Sequence, residues 1–390
     1  MRVIVFGGAG DMGSRAVEDL AHEDGVERLT IADRNVTAAT ALAARLRDAP
    51  ARIEVAAVDA RDHGALVARM RGYDVAASAL GPFYEFEPRL VRAAIEAGVD
   101  YASICDDWSA AKAVLDEFDA AARGAGRIVL TGLGASPGLT NVGVRYFANE
   151  VDRVRRVDIS VYQPLNAGGG EAVLRHMLYV MTGEVPSWRE GRTVMLPACS
   201  EERVVEFPRF GRVTVWNMGH AEPVTVPRFF PDIEECNFFM GFGVGSGPLV
   251  WLARNGVFSR AAVANAVVSV ASGIERLMPA SALAHGAVRM DIWGEVDGSP
   301  VQRMACGIGE MRAVTGLSLA VGTLMLGRKE LLTDQGGVYA PEACLRADAF
   351  LAAMRAKGIE TYADLAMREP VGAPPVADAG QAVPEDHPAP

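Results

Sequence analysis

The fold is decided by the stretch Val3-Ile4-Val5-Phe6-Gly7-Gly8-Ala9-Gly10-Asp11-Met12-Gly13 at the start of the chain. Its apolar residues predict a buried strand, and helical spacing follows the glycine-rich turn. Gly8 permits a tight turn, Gly10 lets the backbone approach a pyrophosphate, and Gly13 allows close packing of the helix. The helix N-terminus then faces the phosphates of a bound dinucleotide. The cofactor contacts predicted for this loop are Gly8, Gly10, Asp11, Met12 and Gly13.

The residues after the second and third predicted strands bear on which dinucleotide is bound. Asp33 ends the second strand, where an acid holds the adenosine ribose hydroxyls. Its carboxylate repels a 2′-phosphate, whereas the neighbouring Arg34 can pair with that phosphate or stack on adenine. We therefore expect NAD or NADP, with NAD favoured. Asp59 either lies near the adenine or caps a helix predicted over Arg61–Met70.

Short apolar runs alternate with segments of helical spacing over residues 1–140. This alternation predicts an α/β Rossmann domain, a doubly wound parallel sheet whose strands end at one common edge. The predicted strands are Arg2–Phe6, Arg28–Ala32, Ile53–Val58, Asp74–Ala79, Asp100–Cys105 and Arg127–Thr131.

The pattern changes after the turn-rich segment Gly132–Asn141. Irregularly spaced strands predict a mixed or antiparallel sheet with helices on one face, in a second, α+β domain over 141–310. A C-terminal segment follows over 311–368, and residues 369–390, rich in Pro, Ala, Gly and acids, are expected to form a disordered tail. The predicted strands of this part are Val157–Gln163, Arg212–Met218 and Val288–Glu295. Its predicted helices are Gly170–Thr182, Pro248–Leu277 and Ala343–Lys357.

Composition narrows the possible partners. The formal net charge of −11 disfavours nucleic acid. The six His and five Cys show no metal-ligand spacing, so no metal is expected. The most apolar segment, Ala261–Ile274, contains Asn and Ser and predicts a packed helix rather than a membrane span. With no secretory signal pattern, we expect a soluble, cytoplasmic protein without a membrane partner.

Seven motifs, in order along the chain, resemble the saccharopine dehydrogenase family, which includes saccharopine reductase, lysine dehydrogenases and carboxynorspermidine dehydrogenase. They are Gly7–Gly13, Ala32–Arg34, Ala79–Phe83, Ala97–Asp107, Gly134–Asn141, Gly219–Thr225 and Gly336–Glu342. The resemblance implies hydride transfer between a nicotinamide and a carbon bonded to nitrogen. It also implies a second domain that carries most substrate contacts and final helices that return to the first domain. One departure is Ser103, where the family often has Asp.

Candidate catalytic groups follow the fourth and fifth predicted strands. Leu80, Gly81 and Pro82 are expected either to adjoin the nicotinamide or to form an ordinary strand-to-helix turn. Oxidation of a C–N bond needs a base for the amine proton and for water. Asp106 is the first choice for that base, while Asp107 fits better as the N-cap of the next helix.

The second domain offers a polar pair. Histidine as a residue type titrates near neutral pH and glutamate can bind an ammonium group, so His220 and Glu222 are both predicted in an amino-acid pocket. His176 is a weaker candidate in a predicted helix. Three further residues are candidates, although a packed aromatic is the more expected role of the first and surface solvation that of the two arginines, which are possible carboxylate clamps. They are Tyr84, Arg175 and Arg228.

These features predict an NAD(P)-dependent oxidoreductase acting on CH–NH or CH–NH2 donors in an amino acid or secondary-amine adduct. Two alternatives stay open: a dehydrogenase of another carbonyl or hydroxy substrate, and a non-catalytic cofactor-binding protein. The expected partners are a small amino-acid-like substrate and further copies of the chain, as a homodimer or larger homo-oligomer.

Overall fold

The computed structural model describes residues 1–164, 170–275 and 285–372. Within these ranges, no helix combines the length and the apolar character that crossing a membrane requires. Most of the predicted disordered tail, residues 373–390, lies outside the described residues. Its first residues do pack, because Val371 is buried and its carbonyl accepts a hydrogen bond from Arg355 Nη2 at 2.7 Å. The prediction that the tail starts at Glu369 was therefore wrong.

The first half forms the predicted parallel sheet. Its strands carry small and β-branched residues, which suit strands buried on both faces. The strands are β1 (Arg2–Phe6), β2 (Arg28–Asp33), β3 (Arg52–Ala57), β4 (Val75–Ser78), β5 (Asp100–Ser103) and β6 (Ile128–Thr131). The helices are α1 (Asp11–Leu20), α2 (Val36–Arg45), α3 (His63–Met70), α4 (Phe83–Ala97), α5 (Trp108–Glu117) and α6 (Asp119–Ala125). The spatial order β6-β5-β4-β1-β2-β3 confirms the doubly wound Rossmann topology.

The linking helix α7 (Leu139–Ala148) leads into a second, mixed sheet, as predicted. The strands are β7 (Arg153–Tyr162), β8 (Glu184–Arg189), β9 (Arg192–Pro197), β10 (Glu202–Phe207), β11 (Gly211–Asn217), β12 (Glu235–Gly241), β13 (Gly286–Val296) and β14 (Ser299–Gly309). The main path runs β10-β11-β12-β7-β13-β14, and β8 pairs with both β12 and β9. The helices of this half are α8 (Gly170–Val180), α9 (Glu222–Phe229), α10 (Gly247–Arg254) and α11 (Ala261–Glu275).

Two predicted helices are interrupted. Pro248–Leu277 was predicted as one helix, but α10 and α11 are separate because Gly256 adopts a φ of +70°. Leu277 lies outside the described residues. Likewise, Ala343–Lys357 divides into α13 (Pro341–Cys344) and α14 (Ala347–Ala356).

The C-terminal segment returns to the first sheet. Helix α12 (Met311–Arg328) packs on α1, and a Cβ at Gly316 would lie 2.5 Å from the Arg15 Cβ. Strand β15 (Gly337–Tyr339) pairs in parallel with β6 and adds a seventh strand to the sheet. The segment that follows the second sheet thus completes the first.

Candidate active site

The glycine loop has the shape that a dinucleotide requires. A Cβ at Gly13 would lie 2.2 Å from the Gly7 carbonyl oxygen, and a Cβ at Gly8 would lie 2.9 Å from the Val5 oxygen. Gly10 is exposed, and the nearest atom to a Cβ there is the Gly7 oxygen at 3.3 Å. Because the N-cap Gly10 has no side chain, the first-turn N–H groups of α1 are available to phosphate oxygens. The loop residues therefore fit the pyrophosphate of a nicotinamide dinucleotide.

Asp33 lies beside this loop. Its Oδ2 accepts a hydrogen bond from the Ala9 N–H at 3.1 Å, and its Oδ1 accepts one from the Asn35 N–H at 2.8 Å. These two bonds hold the carboxylate at the end of β2, next to the glycine turn. Arg34 is exposed on the same turn. The structure thus brings the predicted ribose-binding acid and its basic neighbour to one place.

Asp59 is exposed after β3, and its Oδ1 accepts a hydrogen bond from the Arg61 N–H at 3.0 Å. The alternative that Asp59 caps a helix over Arg61–Met70 was wrong. Helix α3 begins two residues later, because Asp62 accepts a hydrogen bond from the Ala65 N–H at 2.9 Å and so acts as the N-cap.

A cavity of about 330 Å³ lies where the two sheets and α12 meet. The helices and turns of the first half contribute Met12, Gly81, Pro82, Tyr84, Asp106 and Ser136. The second half contributes Arg175, His176, Tyr179 and His220, and α12 contributes Met311, Arg312 and Thr315. Leu80 does not line the cavity but anchors its turn, since its N–H donates to Ser78 Oγ at 3.2 Å. Groups that follow β4 and β5 and groups of the second half thus face one space.

Four side chains form an alternating series of imidazoles and carboxylates. His176 Nε2 lies 3.2 Å from Asp106 Oδ2, and His220 Nε2 lies 4.0 Å from the same oxygen. His220 Nδ1 is hydrogen-bonded to Glu222 Oε2, and Ser136 Oγ donates to the other oxygen of Glu222. Glu222 is fully buried and does not line the cavity, so it lies behind His220.

The ring of His220 is held on both sides. It stacks on Phe238 with centroids 3.9 Å apart and an interplanar angle of 5°. Its bond to Glu222 orients the ring so that Nε2 is directed towards Asp106. A carboxylate that fixes one imidazole nitrogen leaves the other free for proton exchange in the cavity.

The charges of Asp106 and His176 stabilise each other. Burial raises the pKa of Asp106, but the charge and hydrogen bond of His176 and the charge of His220 outweigh burial and hold that pKa below its usual value. Burial lowers the pKa of His176, but the charge and hydrogen bond of Asp106 outweigh burial and raise that pKa. Each group therefore favours the charged form of the other.

Asp106→Asn is expected to lower the pKa of His176. The change removes the anion and keeps the side-chain volume, so the burial that disfavours the imidazolium is no longer opposed by Asp106. His176 would then lose its proton at a lower pH than in the parent. NMR titration of the imidazole C–H signals measures the pKa of His176. The signal that disappears in His176→Gln is assigned to His176. Glu96→Gln is the control, because Glu96 contacts only the surface His63 among the histidines described, at 2.8 Å. An unchanged pKa in Asp106→Asn would contradict the ion pair.

The neighbours of Asp106 have structural roles. Asp107 caps α5, since its Oδ1 accepts hydrogen bonds from the N–H groups of Ser109 and Ala110 at 2.9 and 3.0 Å. Cys105 is buried, and that burial raises the pKa of its thiol well above the usual range. The thiol therefore stays protonated and is a poor nucleophile.

Ser103 points away from the cavity towards α4. Its hydroxyl donates to Glu87 Oε1 at 2.5 Å, and Tyr101 and Thr131 donate to the same carboxyl group at 2.8 and 3.0 Å. Burial raises the pKa of Glu87. The carboxyl group of Glu87 on α4 thus lies beside Ser103 and accepts hydrogen bonds from three hydroxyl groups.

Sequence reasoning also missed residues of the cavity. Ser136, Tyr179 and Arg312 were not predicted, and only the turn-rich Gly132–Asn141 segment gave any signal for Ser136. Of the two clamp candidates, Arg228 lies elsewhere: its Nη1 donates to Asp116 Oδ1 at 2.9 Å and ties α9 to α5.

Comparisons with known proteins agree with this architecture. Residues 3–128 match the family model of the saccharopine dehydrogenase NADP binding domain. Saccharopine dehydrogenase (L-Glu forming) of Saccharomyces cerevisiae is similar in structure, with a TM-score of 0.65 and 15% identity over 92% of this chain and 98% of that chain. DAP dehydrogenase of C. glutamicum, solved with DAP, has a TM-score of 0.46 and 12% identity over 92% and 98% of the two chains.

The fold, the glycine loop and the match define an NAD(P)-dependent oxidoreductase. Residues 3–128 are similar to the NADP binding domain of saccharopine dehydrogenase, and the chain as a whole has the saccharopine dehydrogenase fold. The resemblance predicted from the sequence motifs is confirmed.

Proposed function

We propose that the chain transfers hydride between NAD(P) and a carbon bonded to nitrogen in an amino acid or a secondary-amine adduct. The observation that carries the proposal is that Asp106 and His220, from opposite halves of the chain, line one cavity that reaches Met12 of the glycine loop. A bound nicotinamide at the sheet edge supplies the hydride acceptor or donor. The same arrangement supports the proposed division into domains at residues 140 and 310.

Asp106 is suited to bind the substrate nitrogen. Its Oδ2 is paired with His176, while its Oδ1 is buried and has no hydrogen-bond partner among the described residues. The Asp106 side chain is 24% exposed, so its carboxylate faces the cavity, where a substrate ammonium group would carry the opposite charge. A neutral hydroxyl group lacks that charge, so the carboxylate favours a C–N substrate over a hydroxy substrate.

His220 is the group proposed to move the proton. Glu222 fixes its Nδ1, and Ser136 in turn fixes Glu222. With the substrate nitrogen held at Asp106, Nε2 can take a proton from the substrate ammonium group. It can later activate the water that attacks the imine carbon. In this proposal Asp106 and His220 are catalytic residues, while Glu222 is a positioning residue that acts through His220.

The proposal is tested by a panel of amino acids, secondary-amine adducts, hydroxy acids and aldehydes, followed at the nicotinamide absorbance with NAD and NADP. Turnover of amine substrates with release of ammonia or a primary amine is the expected result. Turnover of only hydroxy acids or aldehydes would contradict the proposed bond. Dinucleotide binding without turnover of any member would instead support a non-catalytic protein.

We also propose that NAD is preferred over NADP. The Asp33 carboxylate is held beside the glycine loop, where it would repel a 2′-phosphate. The expected result is that NAD binds at least about tenfold more tightly, or ~1.4 kcal/mol, in side-by-side titrations. Asp33→Asn should reduce that preference, whereas Asp62→Asn, one strand away, should not. A tenfold preference for NADP in the parent would show that Arg34 dominates.

A further inference from the structure

The walls of the cavity are rich in thioether side chains. Met12, Met177, Met240 and Met311 come from α1, α8, β12 and α12, so the apolar lining surrounds the space rather than covering one side. Met240 and Met311 are buried, with 8% and 9% of their surfaces exposed. Methionine adapts its shape to apolar ligands and offers no strong hydrogen bond.

Few full charges face the same space. Among the residues described, the permanent cations of the lining are Arg312 and Arg175. Arg312 Nε already contacts Glu310 Oε1 at 3.0 Å, and Arg175 Nη1 donates to Asn265 Oδ1 at 2.6 Å. His176 is paired with Asp106, its Nε2 lying 3.2 Å from Asp106 Oδ2. Both arginines already have hydrogen-bond partners, and their number limits how many substrate carboxylates the described lining can compensate.

The volume sets a second limit. At about 330 Å³ the cavity is near the lower end of the range for ligand pockets. The nicotinamide ring must occupy the part next to Gly81 and Pro82, which leaves less for the substrate. A small substrate fits this remainder better than a long adduct of two amino acids.

We infer that the substrate is a small amino acid with one carboxylate and an apolar side chain, held with its nitrogen at Asp106 and its side chain among the four methionines. The inference rests on the proposed function and names its substrate class. Burying a second carboxylate among thioethers would leave that charge without a partner, which is costly. An adduct with several carboxylates is disfavoured for the same reason.

The test compares amino acids of matched shape, leucine with aspartate and methionine with glutamate, each as both enantiomers. In each pair kcat/KM of the apolar member is expected to be higher by about 10²-fold or more, because the acid loses its solvation without gaining a partner. Equal or faster turnover of the acidic member would overturn the inference.

Thermal shifts of the enzyme with bound dinucleotide, measured with the same amino acids, separate this inference from the proposed function. A larger rise in Tm with leucine and methionine than with the acids, in the absence of turnover, would overturn the proposed reaction and keep the specificity. A larger rise with the acids would overturn the specificity whatever the turnover.

A lysine in the cavity wall should change the preference of the enzyme between methionine and glutamate. Met177→Lys is expected to raise kcat/KM for glutamate relative to methionine by about tenfold or more, because it supplies the missing cation. Met195→Lys is the matched control, since Met195 is exposed on β9 and does not line the cavity. If Met177→Lys does not fold, Met311→Gln should instead lower the ratio of kcat/KM for methionine to kcat/KM for glutamate. An unchanged ratio in the folded variant would contradict the proposed contact between the four methionines and the substrate side chain.

Discussion

Turnover is expected to fall by about 10²–10⁴-fold when His220 or Asp106 is replaced with Ala, with dinucleotide affinity nearly unchanged. Both side chains line the cavity, and His220 Nε2 lies 4.0 Å from Asp106 Oδ2. Proton transfer to or from the substrate nitrogen would lose its positioned partner in either variant. Steady-state kinetics with the substrate from the panel, alongside dinucleotide titration, measures both quantities.

The control for this pair is His63→Ala. His63 is exposed and contacts Glu96 on the surface of the first half, so its loss should leave turnover unchanged. Because His220 also stacks on Phe238, the unfolding temperature of each variant must be compared with that of the parent. A folded His220→Ala variant with parental turnover would remove His220 from the proposed mechanism.

The role of Glu222 has its own readout. Glu222→Gln keeps the side-chain volume and a hydrogen bond to His220, but it removes the buried negative charge. Because the Glu222 carboxylate orients the His220 ring through Nδ1, kcat is expected to fall with little change in KM or in dinucleotide affinity. A purely structural role for Glu222 would lower the unfolding temperature and leave kcat of the folded variant unchanged.

Gly10→Val is expected to abolish measurable dinucleotide binding while the protein remains folded. Gly10 has an ordinary φ of −77°, is exposed, and has open space around a Cβ apart from the Gly7 oxygen at 3.3 Å. The isopropyl group would therefore meet the pyrophosphate and not the protein. Fluorescence or calorimetric titration with NADH and NADPH checks the result.

Variants at two other glycines of the first half serve as controls for this prediction. Gly13→Val should unfold the first half, because a Cβ there would lie 2.2 Å from the Gly7 oxygen. Gly64→Val, where a Cβ would meet only Asp62 Oδ1 at 3.5 Å, should leave dinucleotide binding intact. Parental affinity in a folded Gly10→Val variant would refute the assignment of the loop.

The first sheet was predictable because its signals are local. Strand β1 was predicted with its observed bounds, and the other five strands of the N-terminal half lie within two residues of prediction at either end. Short apolar runs followed by Gly, Asp or Pro identify such strands without knowledge of their neighbours. Because parallel strands end at one edge, the grouping of Gly81, Pro82 and Asp106 also followed from sequence.

The second half was harder to predict because its strands are stabilised by pairing. Strand β10 alternates exposed and partly buried residues at the edge of the sheet, and β8 and β9 form a hairpin beside the main path. The contact of α12 with α1 depends on small residues such as Gly316, which are weak helix formers and gave no helical signal. The cavity residue Arg312 lies at the start of that helix, so missing α12 also meant missing Arg312.

The return of the chain to its first sheet has a consequence for biosynthesis. The ribosome releases β1 to β6 early, but β15 and the covering helix α12 are made only after the whole second sheet. Until then, the edge strand β6 has unpaired backbone groups and α1 has an uncovered face. The nascent N-terminal half therefore emerges as an incomplete folding unit, open to chaperone binding or misassociation until the C-terminal residues close it. Truncation before β15 would make that transient state permanent.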